Sequence, residues 1–331
     1  MIEKLLFVKS EGTYPYKNLA LEEYLTFHVG ERECILYLWQ NRHTVVIGRN
    51  QNCWKECKVK ELENDGGYLV RRLSGGGAVY HDLGNLNFTF LIRKDNYDVD
   101  KQLEVIVQAV KKLGINAKKT GRNDITVDGR KFSGNAFYKS GNFCYHHGTL
   151  LIDVDMEHMA KYLNVSKEKL QSKSVNSIRS RVVNLKKLSS SLTIDKMCEK
   201  LIEAFGEVYG LKPKPFHESR IQKEELEILK EKFESWKWKY GRKIEFQYEM
   251  LGRFEWGDIQ LQFEVQGGKI KSLNAFSDAM DEEMILRISE ILIGCTYEEN
   301  TLKDVLTNNF ADKPERAVIA KDIGMLIHDN M

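Results

Sequence analysis

The chain has 331 residues, 42% of them hydrophobic and 30% charged, and its formal net charge is +2. This composition is typical of a folded globular protein and excludes a disordered chain. The length favours two domains over one compact core. The near-neutral charge gives no indication of a nucleic-acid partner, and no apolar run approaches the roughly 18–20 residues that span a bilayer.

The cysteines and the N-terminus indicate the compartment. Six cysteines are spread irregularly along the chain, which favours free thiols in a reducing cytosol. Residues 1–9 carry charges and lack the apolar core of a signal peptide, so we expect a cytoplasmic protein. Cys53 and Cys57 form a CxxxC pair, but no second pair follows at zinc spacing, which disfavours a metal site there.

Hydrophobic periodicity and turn residues predict the elements of the first hundred residues. In chain order they are a helix over 18–29, strands over 34–39 and 44–48, a short helix over 52–64, and strands over 68–73 and 86–92. A helix follows with Leu103, Ile106 and Val110 on one face, and Asp100 is expected to cap its N-terminus.

The next segment contains two predicted hairpins and a polar loop. Asp128-Gly129 lies between short β-prone runs and is a strong hairpin signal, and Ser140-Gly141 precedes a strand over 143–153. Asp155 is expected to cap a short helix. Residues 166–187 are rich in Lys, Ser and Arg and predict a long mobile loop.

The last third of the chain changes character near residue 246. Helices are predicted over 193–209 and 222–234 before that point. Beyond it, strands over 243–250, 259–266 and 269–275 and helices over 282–293 and 302–308 predict a small α+β domain.

The clearest chemical signal is the run from Arg71 to Asp82, RRLSGGGAVYHD. Three consecutive glycines after a strand expose backbone N–H groups that bind anions, and two arginines upstream suit phosphate or carboxylate. The run is neither a Walker A motif nor a dinucleotide fingerprint, since Tyr80 stands where the third glycine would be. A flexible glycine turn with solvated arginines is the alternative.

A second candidate is Lys131, between a tight turn and Ser133-Gly134. Its ammonium could neutralise two anions at once, such as a carboxylate attacking an α-phosphate. An ordinary exposed hairpin lysine is the alternative.

Three further features leave alternatives open. His146 and His147 alternate faces on a strand, so they do not easily serve one site. Cys144 near His146 allows a Cys–His nucleophile. The basic residues from Lys167 to Arg181 could close over a nucleotide, or form a solvated linker or a weak nucleic-acid patch.

These features belong to a longer ordered set of strings: NLALEE at 18–23, GRNQN at 48–52, RRLSGGGAVYHDLGN at 71–85, GRND at 121–124, DGRKFSGNA at 128–136, HHGT at 146–149 and SIRSRV at 177–182. In order and spacing over residues 1–245 they resemble the lipoate–protein ligase A family. The remaining residues, 246–331, resemble the small C-terminal accessory domain of that family.

The resemblance implies a fold and a reaction. The fold is α/β (α+β): a mixed β-sheet catalytic domain of the biotin/lipoate ligase type over 1–245, and a small α+β accessory domain over 246–331. Lipoate and ATP would form lipoyl-AMP and pyrophosphate, with Mg²⁺ accompanying ATP. A lysine of a lipoyl domain from a 2-oxoacid dehydrogenase, or of the glycine cleavage H protein, would then attack the mixed anhydride. Neither nucleic acid nor a membrane is implied.

The resemblance also implies site residues. Lys131 matches the catalytic lysine of the family, which contacts the carboxylate and the α-phosphate. ATP or the adenylate is expected at Arg72, Gly77, Ala78, Val79, Tyr80, Asn123, Asp124, Lys131, Arg179 and Arg181, with Mg²⁺ at Asp124. The lipoyl pocket is expected at Arg71, Ser74, Gly75, Gly76, His147 and Gly148.

Three rival functions remain at the level of the sequence. An octanoyltransferase of the same superfamily would use a cysteine nucleophile without ATP, and only Cys144 lies near the motifs. A biotin–protein ligase is the second rival, but the triple-glycine and Arg-Ser-Arg strings resemble the lipoate branch of the superfamily more closely. A binding module without catalysis is disfavoured by the presence of Lys131.

Overall fold

A computed structural model describes residues 1–120, 124–164, 182–240 and 248–331, which form two compact units. The first unit comprises Met1–Val46, Trp54–Leu73 and Ala78–Lys239. The second comprises Tyr240–Met331 together with two short segments from the N-terminal half, Ile47–Cys53 and Ser74–Gly77. The predicted boundary between residues 245 and 246 falls at 241–247, outside the described residues, and stays a prediction.

The elements up to Tyr240 alternate strands and helices. The strands are β1 (Lys4–Lys9), β2 (Glu33–Trp39), β3 (Thr44–Ile47), β4 (Tyr68–Arg71), β5 (Val79–His81), β6 (Asn85–Arg93), β7 (Lys118–Thr120), β8 (Asp124–Val127), β9 (Arg130–Ser140), β10 (Phe143–Leu151) and β11 (Lys214–Pro215). The helices are α1 (Pro15–His28), α2 (Cys53–Glu56), α3 (Val59–Asn64), α4 (Val99–Lys111), α5 (Met156–Tyr162), α6 (Ile194–Tyr209), α7 (Lys223–Glu234) and α8 (Trp236–Tyr240).

The strands of the first unit form a large mixed sheet and a small one. The order in the large sheet is β11-β1-β2-β6-β10-β9-β8-β7, and the small sheet has the order β4-β3-β5. Strand β1 runs parallel to β2 and β11, whereas the pairings from β2 through β7 are antiparallel. The predicted mixed sheet is therefore confirmed.

Helices cover both faces of the large sheet. One core joins α4 and α6 to side chains such as Leu36 and Phe88, and the other joins α1 and α7 to Ile35 and Tyr37. Successive residues of a strand point to opposite faces, so both faces of β2 are buried. This double burial explains why β2 is a continuous apolar run rather than an alternating one.

Several local expectations need correction. Asp98, not Asp100, caps α4, since its carboxylate accepts from the N–H of Lys101 at 2.9 Å. The predicted helix over 52–64 is the two short helices α2 and α3. The predicted loop falls largely on residues 165–181, outside the described residues. The rest of that stretch is packed, with Val183 and Leu185 buried in the core, because irregular backbone can bury apolar residues without a repeating pattern.

The second unit has one antiparallel sheet covered by helices. Its elements are β12 (Tyr248–Phe254), β13 (Gly257–Gln266), β14 (Lys269–Ser277), α9 (Glu282–Leu292), α10 (Glu299–Asn309) and α11 (Pro314–Asn330). The helices and the sheet share a separate apolar core. Helix α11 was not predicted, because its apolar residues are spread around the helix, with Val318 56% exposed. Among the described residues, no helix is both long and apolar enough to cross a bilayer.

Candidate active site

The hairpin between β8 and β9 positions Lys131. Asp128 and Gly129 have φ angles of +49° and +74°, the left-handed conformations that a two-residue Asp-Gly turn requires. The Lys131 ammonium lies 2.7 Å from the Asp124 carboxylate, and each side chain is 37% exposed. Lys131 is therefore an ordered, charge-paired group that solvent reaches, rather than a fully exposed hairpin lysine.

Two backbone features hold Lys131 in place. Its carbonyl accepts from the N–H of Val183 at 2.9 Å, which joins β9 to the segment after residue 181. The Lys131 side chain lies over Gly134, where a Cβ atom would be 2.9 Å from the lysine Nζ. A side chain at position 134 would displace the end of the flexible lysine side chain, so Gly134 leaves the space that the ammonium occupies.

The two histidines of β10 face opposite sides of the sheet, as expected. His146 is fully buried and contacts Asn135 on β9 at 2.9 Å and Gln102 on α4 at 3.2 Å. Burial lowers the pKa of His146 to about 3, so it is neutral at physiological pH. His147 instead lies 2.9 Å from the carboxylate of Glu22 on α1.

Glu22 anchors a buried polar chain that the sequence did not reveal. It is 1% exposed and accepts from the Thr89 hydroxyl at 2.6 Å as well as pairing with His147. The indole N–H of Trp39 donates to the same hydroxyl at 3.1 Å. The sequence signal that could have predicted it is the charged Glu22 on the buried face of the helix predicted over 18–29. This chain fixes the orientation of the His147 ring.

Gly148, beside His147, lies in a space too small for any side chain. A Cβ atom there would be 2.6 Å from the Phe88 ring and 2.7 Å from the Asn135 side chain. Asp124, Lys131 and Gly148 lie on the adjacent strands β8, β9 and β10, respectively.

The arginines before the glycine run are buried and bound to backbone carbonyls. Arg71 is 6% exposed and donates to the carbonyls of Trp238, at 2.9 Å, and Lys239, at 2.7 Å. The Trp238 indole donates in return to the Arg71 carbonyl at 2.8 Å. Arg72 is 5% exposed and donates to the Val46 carbonyl at 3.3 Å. The alternative of solvated arginines is therefore wrong.

Tyr80 packs its ring inside the first unit. The ring is 2% exposed and stacks on Tyr162 with 5.9 Å between ring centroids, while His43 approaches edge-on. Only its backbone is therefore available to a ligand. Ala78 and Val79 are half-buried, and Val79 on β5 pairs with Val46 on β3.

Ser74 to Gly77 belong to the second unit, where the main chain is crowded. The Ser74 carbonyl accepts from the N–H of Arg49 at 2.9 Å. Gly76 has a φ of +88°, and its carbonyl would lie 2.1 Å from a Cβ atom at Gly48. Gly77 is exposed. The glycine run is therefore an ordered, closely packed loop.

Some expected ligands lie outside the described residues, namely Asn123, Arg179 and Arg181. Within the described ranges, no group of three His, Cys, Asp or Glu side chains could hold a metal ion. At the Lys131 hairpin, Asp124 offers a single, partly exposed carboxylate. That fits Mg²⁺, which is commonly held by one or two carboxylates and by the phosphates of a nucleotide.

The candidate cysteines, Cys144, Cys53 and Cys57, have buried thiols, which are poorly placed to act as nucleophiles. Cys144 is fully buried in the core shared with α4 and α6, and burial raises the pKa of its thiol. Cys53 and Cys57 are also buried, with exposures of 1% and 2%.

Comparisons with known proteins match almost the whole chain. The family model of the lipoyl protein ligase A/B catalytic domain matches residues 14–206, and that of the bacterial lipoate protein ligase C-terminus matches residues 243–323. Lipoate-protein ligase A of Psychrobacter cryohalolentis is 38% identical over 328 residues, covering 97% of each chain.

Two solved structures share the fold. The crystal structure of P. falciparum LipL1 in complex with lipoate has a TM-score of 0.82 and 32% identity, covering 96% of this chain and 99% of that one. A bipartite lipoate protein ligase of Thermoplasma acidophilum, described with its E2 lipoyl domain, has a TM-score of 0.64 and 27% identity, covering 74% and 99%.

The mixed sheet and the two matched regions define a catalytic domain of the lipoyl ligase A/B class followed by the C-terminal part of the bacterial ligases. With 38% identity over almost its whole length, the chain belongs to the lipoate–protein ligase A family.

Proposed function

We propose that the protein attaches lipoate to a lysine of an acceptor domain in two steps that consume ATP. The lipoate carboxylate attacks the α-phosphate of ATP, forming lipoyl-AMP and releasing pyrophosphate. The ε-amine of the acceptor lysine then attacks the lipoyl carbonyl, forming an amide and releasing AMP. The observation that carries the proposal is the paired, solvent-accessible ammonium of Lys131 in a chain of this family.

Lys131 would act on the first step. A carboxylate and a triphosphate repel each other, and a fixed ammonium between them stabilises the charge that develops as they react. Asp124 holds that ammonium in the absence of substrate, and substrate oxygens would share or replace this contact. Correct orientation of the two reactants contributes about 7–11 kcal/mol in favourable cases.

ATP would be held by Arg72, Gly77, Ala78, Val79, Tyr80, Asn123, Asp124, Arg179 and Arg181 in addition to Lys131. The burial of the Tyr80 ring means that its contribution would come from the main chain. Mg²⁺ would neutralise phosphate charge, with Asp124 as its protein ligand.

The lipoyl group would be bound by Arg71, Ser74, Gly75, Gly76, His147 and Gly148. The buried contacts of Arg71 support a role in fixing the start of the glycine run. The hydrogen bond to the Glu22 carboxylate would set the His147 ring that faces the ligand, and the absence of a side chain at Gly148 would allow Phe88 and Asn135 to pack beside it.

The proposed acceptors are lipoyl domains of 2-oxoacid dehydrogenases or the glycine cleavage H protein. The T. acidophilum relative, described with its E2 lipoyl domain, supports an acceptor of this class. We place the reaction in the cytoplasm, because the irregular spacing of the six cysteines favours thiols in a reducing compartment.

The proposal is tested by the intact mass of a purified apo lipoyl domain after incubation with the protein, lipoate, ATP and Mg²⁺. We expect a gain of one lipoyl group that requires ATP. In Lys131→Ala the rate should fall by about 100- to 1,000-fold, the usual effect of removing one group that stabilises developing charge.

Lys139→Ala is the matched control, because Lys139 is an exposed lysine on the same strand. Its rate should equal that of the unchanged protein. A mass gain from octanoyl carrier protein without ATP, and none from lipoate with ATP, would refute the proposal.

A further inference from the structure

The turn between β14 and α9 holds both N-terminal segments of the second unit. Ser277 donates its N–H to the carbonyl of Asn50 at 3.0 Å, and the Asn50 side chain donates to the carbonyl of Glu282 at 2.9 Å. Residues 47–53 are thus fastened to residues 277–282 at two points.

The same turn occupies donors of the glycine run. The N–H of Gly76 donates to the carbonyl of Ala279 at 3.2 Å. The side-chain carboxyl of Glu282 accepts hydrogen bonds from its own N–H and from the N–H of Gly75. The approach is so close that a Cβ atom at Gly75 would lie 2.4 Å from the Ala279 carbonyl oxygen. A carboxyl group and a carbonyl oxygen therefore engage two N–H groups that the sequence predicts to be anion-binding.

The carboxyl of Glu282 is built into this position. It is 9% exposed, and its neighbours Asp281 and Glu283 both bind Arg316, at 2.6 and 2.8 Å. Asp281 also caps α9 by accepting from the N–H of Met284 at 3.0 Å. Burial of a carboxyl group is costly for stability, and a first-turn glutamate can usually remain in solvent. The fold instead directs this one side chain onto the glycine run.

We propose that Glu282 is an internal competitor that occupies the Gly75 N–H, one of the anion-binding donors of the glycine run, until an anionic substrate replaces it. The inference rests on the proposed function, because the competing anion would be the carboxylate of lipoate or a phosphate of ATP. Both chemistries suit the same donors. Binding would require the Gly75 and Gly76 N–H groups to exchange the oxygens of Glu282 and Ala279 for those of the substrate.

The test compares dissociation constants for lipoate alone and for ATP alone, measured by calorimetry on the full chain at pH 8, where the Glu282 carboxyl is ionised. Only the fraction of molecules with the donors released binds substrate, so a competitor raises the apparent dissociation constant. Glu282→Ala removes the competing carboxyl and should lower the dissociation constant of one ligand by about tenfold, as expected for a hydrogen bond to a charged group. The ligand affected identifies the anion that the loop binds.

Glu290→Ala is the matched control, since Glu290 is an exposed acidic residue on the same helix. It should leave both dissociation constants unchanged. Glu282→Gln keeps an oxygen that can accept from Gly75 but no charge, so it should lower the dissociation constant by a smaller factor. If Glu282→Ala does not fold, Glu282→Gln is the variant that tests the proposal.

The outcomes separate this inference from the proposed function. If neither the unchanged protein nor any variant binds lipoate or ATP, the proposed function is refuted and the inference is refuted with it. If the unchanged protein binds both and Glu282→Ala binds equally or more weakly while unfolding cooperatively, only the internal competitor is refuted. Faster amide exchange at Gly75 in Glu282→Ala is expected alongside tighter binding.

Discussion

Lys131 and Cys144 lie on neighbouring strands of one sheet but in opposite environments. The lysine is 37% exposed and paired with Asp124, whereas the cysteine is fully buried among apolar side chains. A thiol acts as a nucleophile only when ionised and accessible, and burial raises the pKa of this one. The residue that an octanoyltransferase would need is thus poorly suited to attack, which disfavours that rival.

The burial of the Cys144 thiol predicts the effect of the substitution Cys144→Ala. We expect lipoate transfer to the acceptor domain to continue at a rate similar to that of the unchanged protein. The free energy of unfolding should fall by about 1–2 kcal/mol, because a small cavity replaces the sulfur atom. Intact-mass time courses and urea unfolding measure the two effects. Loss of transfer in a folded variant would restore the cysteine mechanism.

At the scale of elements, the glycine run is a packed loop in which each glycine has a different requirement. A Cβ atom at Gly75 would collide with the Ala279 carbonyl, whereas one at Gly77 would meet nothing within 4 Å. Gly76 needs the left-handed conformation that its φ of +88° shows. Three identical letters in the sequence therefore correspond to three different structural constraints.

This contrast predicts different stabilities for two substitutions two residues apart. Gly75→Ala should lower the free energy of unfolding by about 1–3 kcal/mol, the usual cost of forcing an extra methyl group into a filled space. Gly77→Ala is the control and should change it by less than about 0.5 kcal/mol, as an open surface position does. Urea unfolding of both variants provides the measurement. Equal losses would show that Gly75 is not confined as described.

At the scale of the whole molecule, the second unit contains a buried acid that responds to pH. Burial, together with the charges of Asp281 and Glu283, raises the pKa of Glu282 to about 7 from an ordinary value of 4.5. In the unfolded chain this carboxyl ionises near 4.5, but in the folded protein it keeps its proton until about pH 7. Stability from this residue is therefore full below pH 4.5 and is lost as pH rises through 7.

Glu282→Gln should abolish this pH dependence, because glutamine resembles the protonated acid at every pH. At pH 8 the variant should be more stable than the unchanged protein by on the order of 2–3 kcal/mol, and near pH 4.5 the two should be equal. Urea unfolding followed by tryptophan fluorescence, to which Trp256 of the second unit contributes, measures the difference. The assignment would be wrong if both proteins lost the same stability between these pH values.

Local sequence was sufficient for the features that depend on a few neighbouring residues. The Asp128-Gly129 turn, the cap of α5 at Asp155, and the opposite faces of His146 and His147 are all confirmed. Each follows from backbone preferences or side-chain alternation within a turn or a strand. The ordered motifs also sufficed to indicate the family, which the comparisons confirm.

Tertiary structure alone decided which distant residues meet. Glu22 and His147 are 125 residues apart, and Arg71 meets a carbonyl 168 residues away. The grouping of the glycine run with the turn before α9 was equally invisible in the sequence. Such contacts are set by strand order and by the shape of each core, which no short-range preference encodes. Sequence by itself therefore determined the Asp-Gly turn, the cap of α5 and the family of this protein, whereas the folded sheets determined the partners of its buried charges.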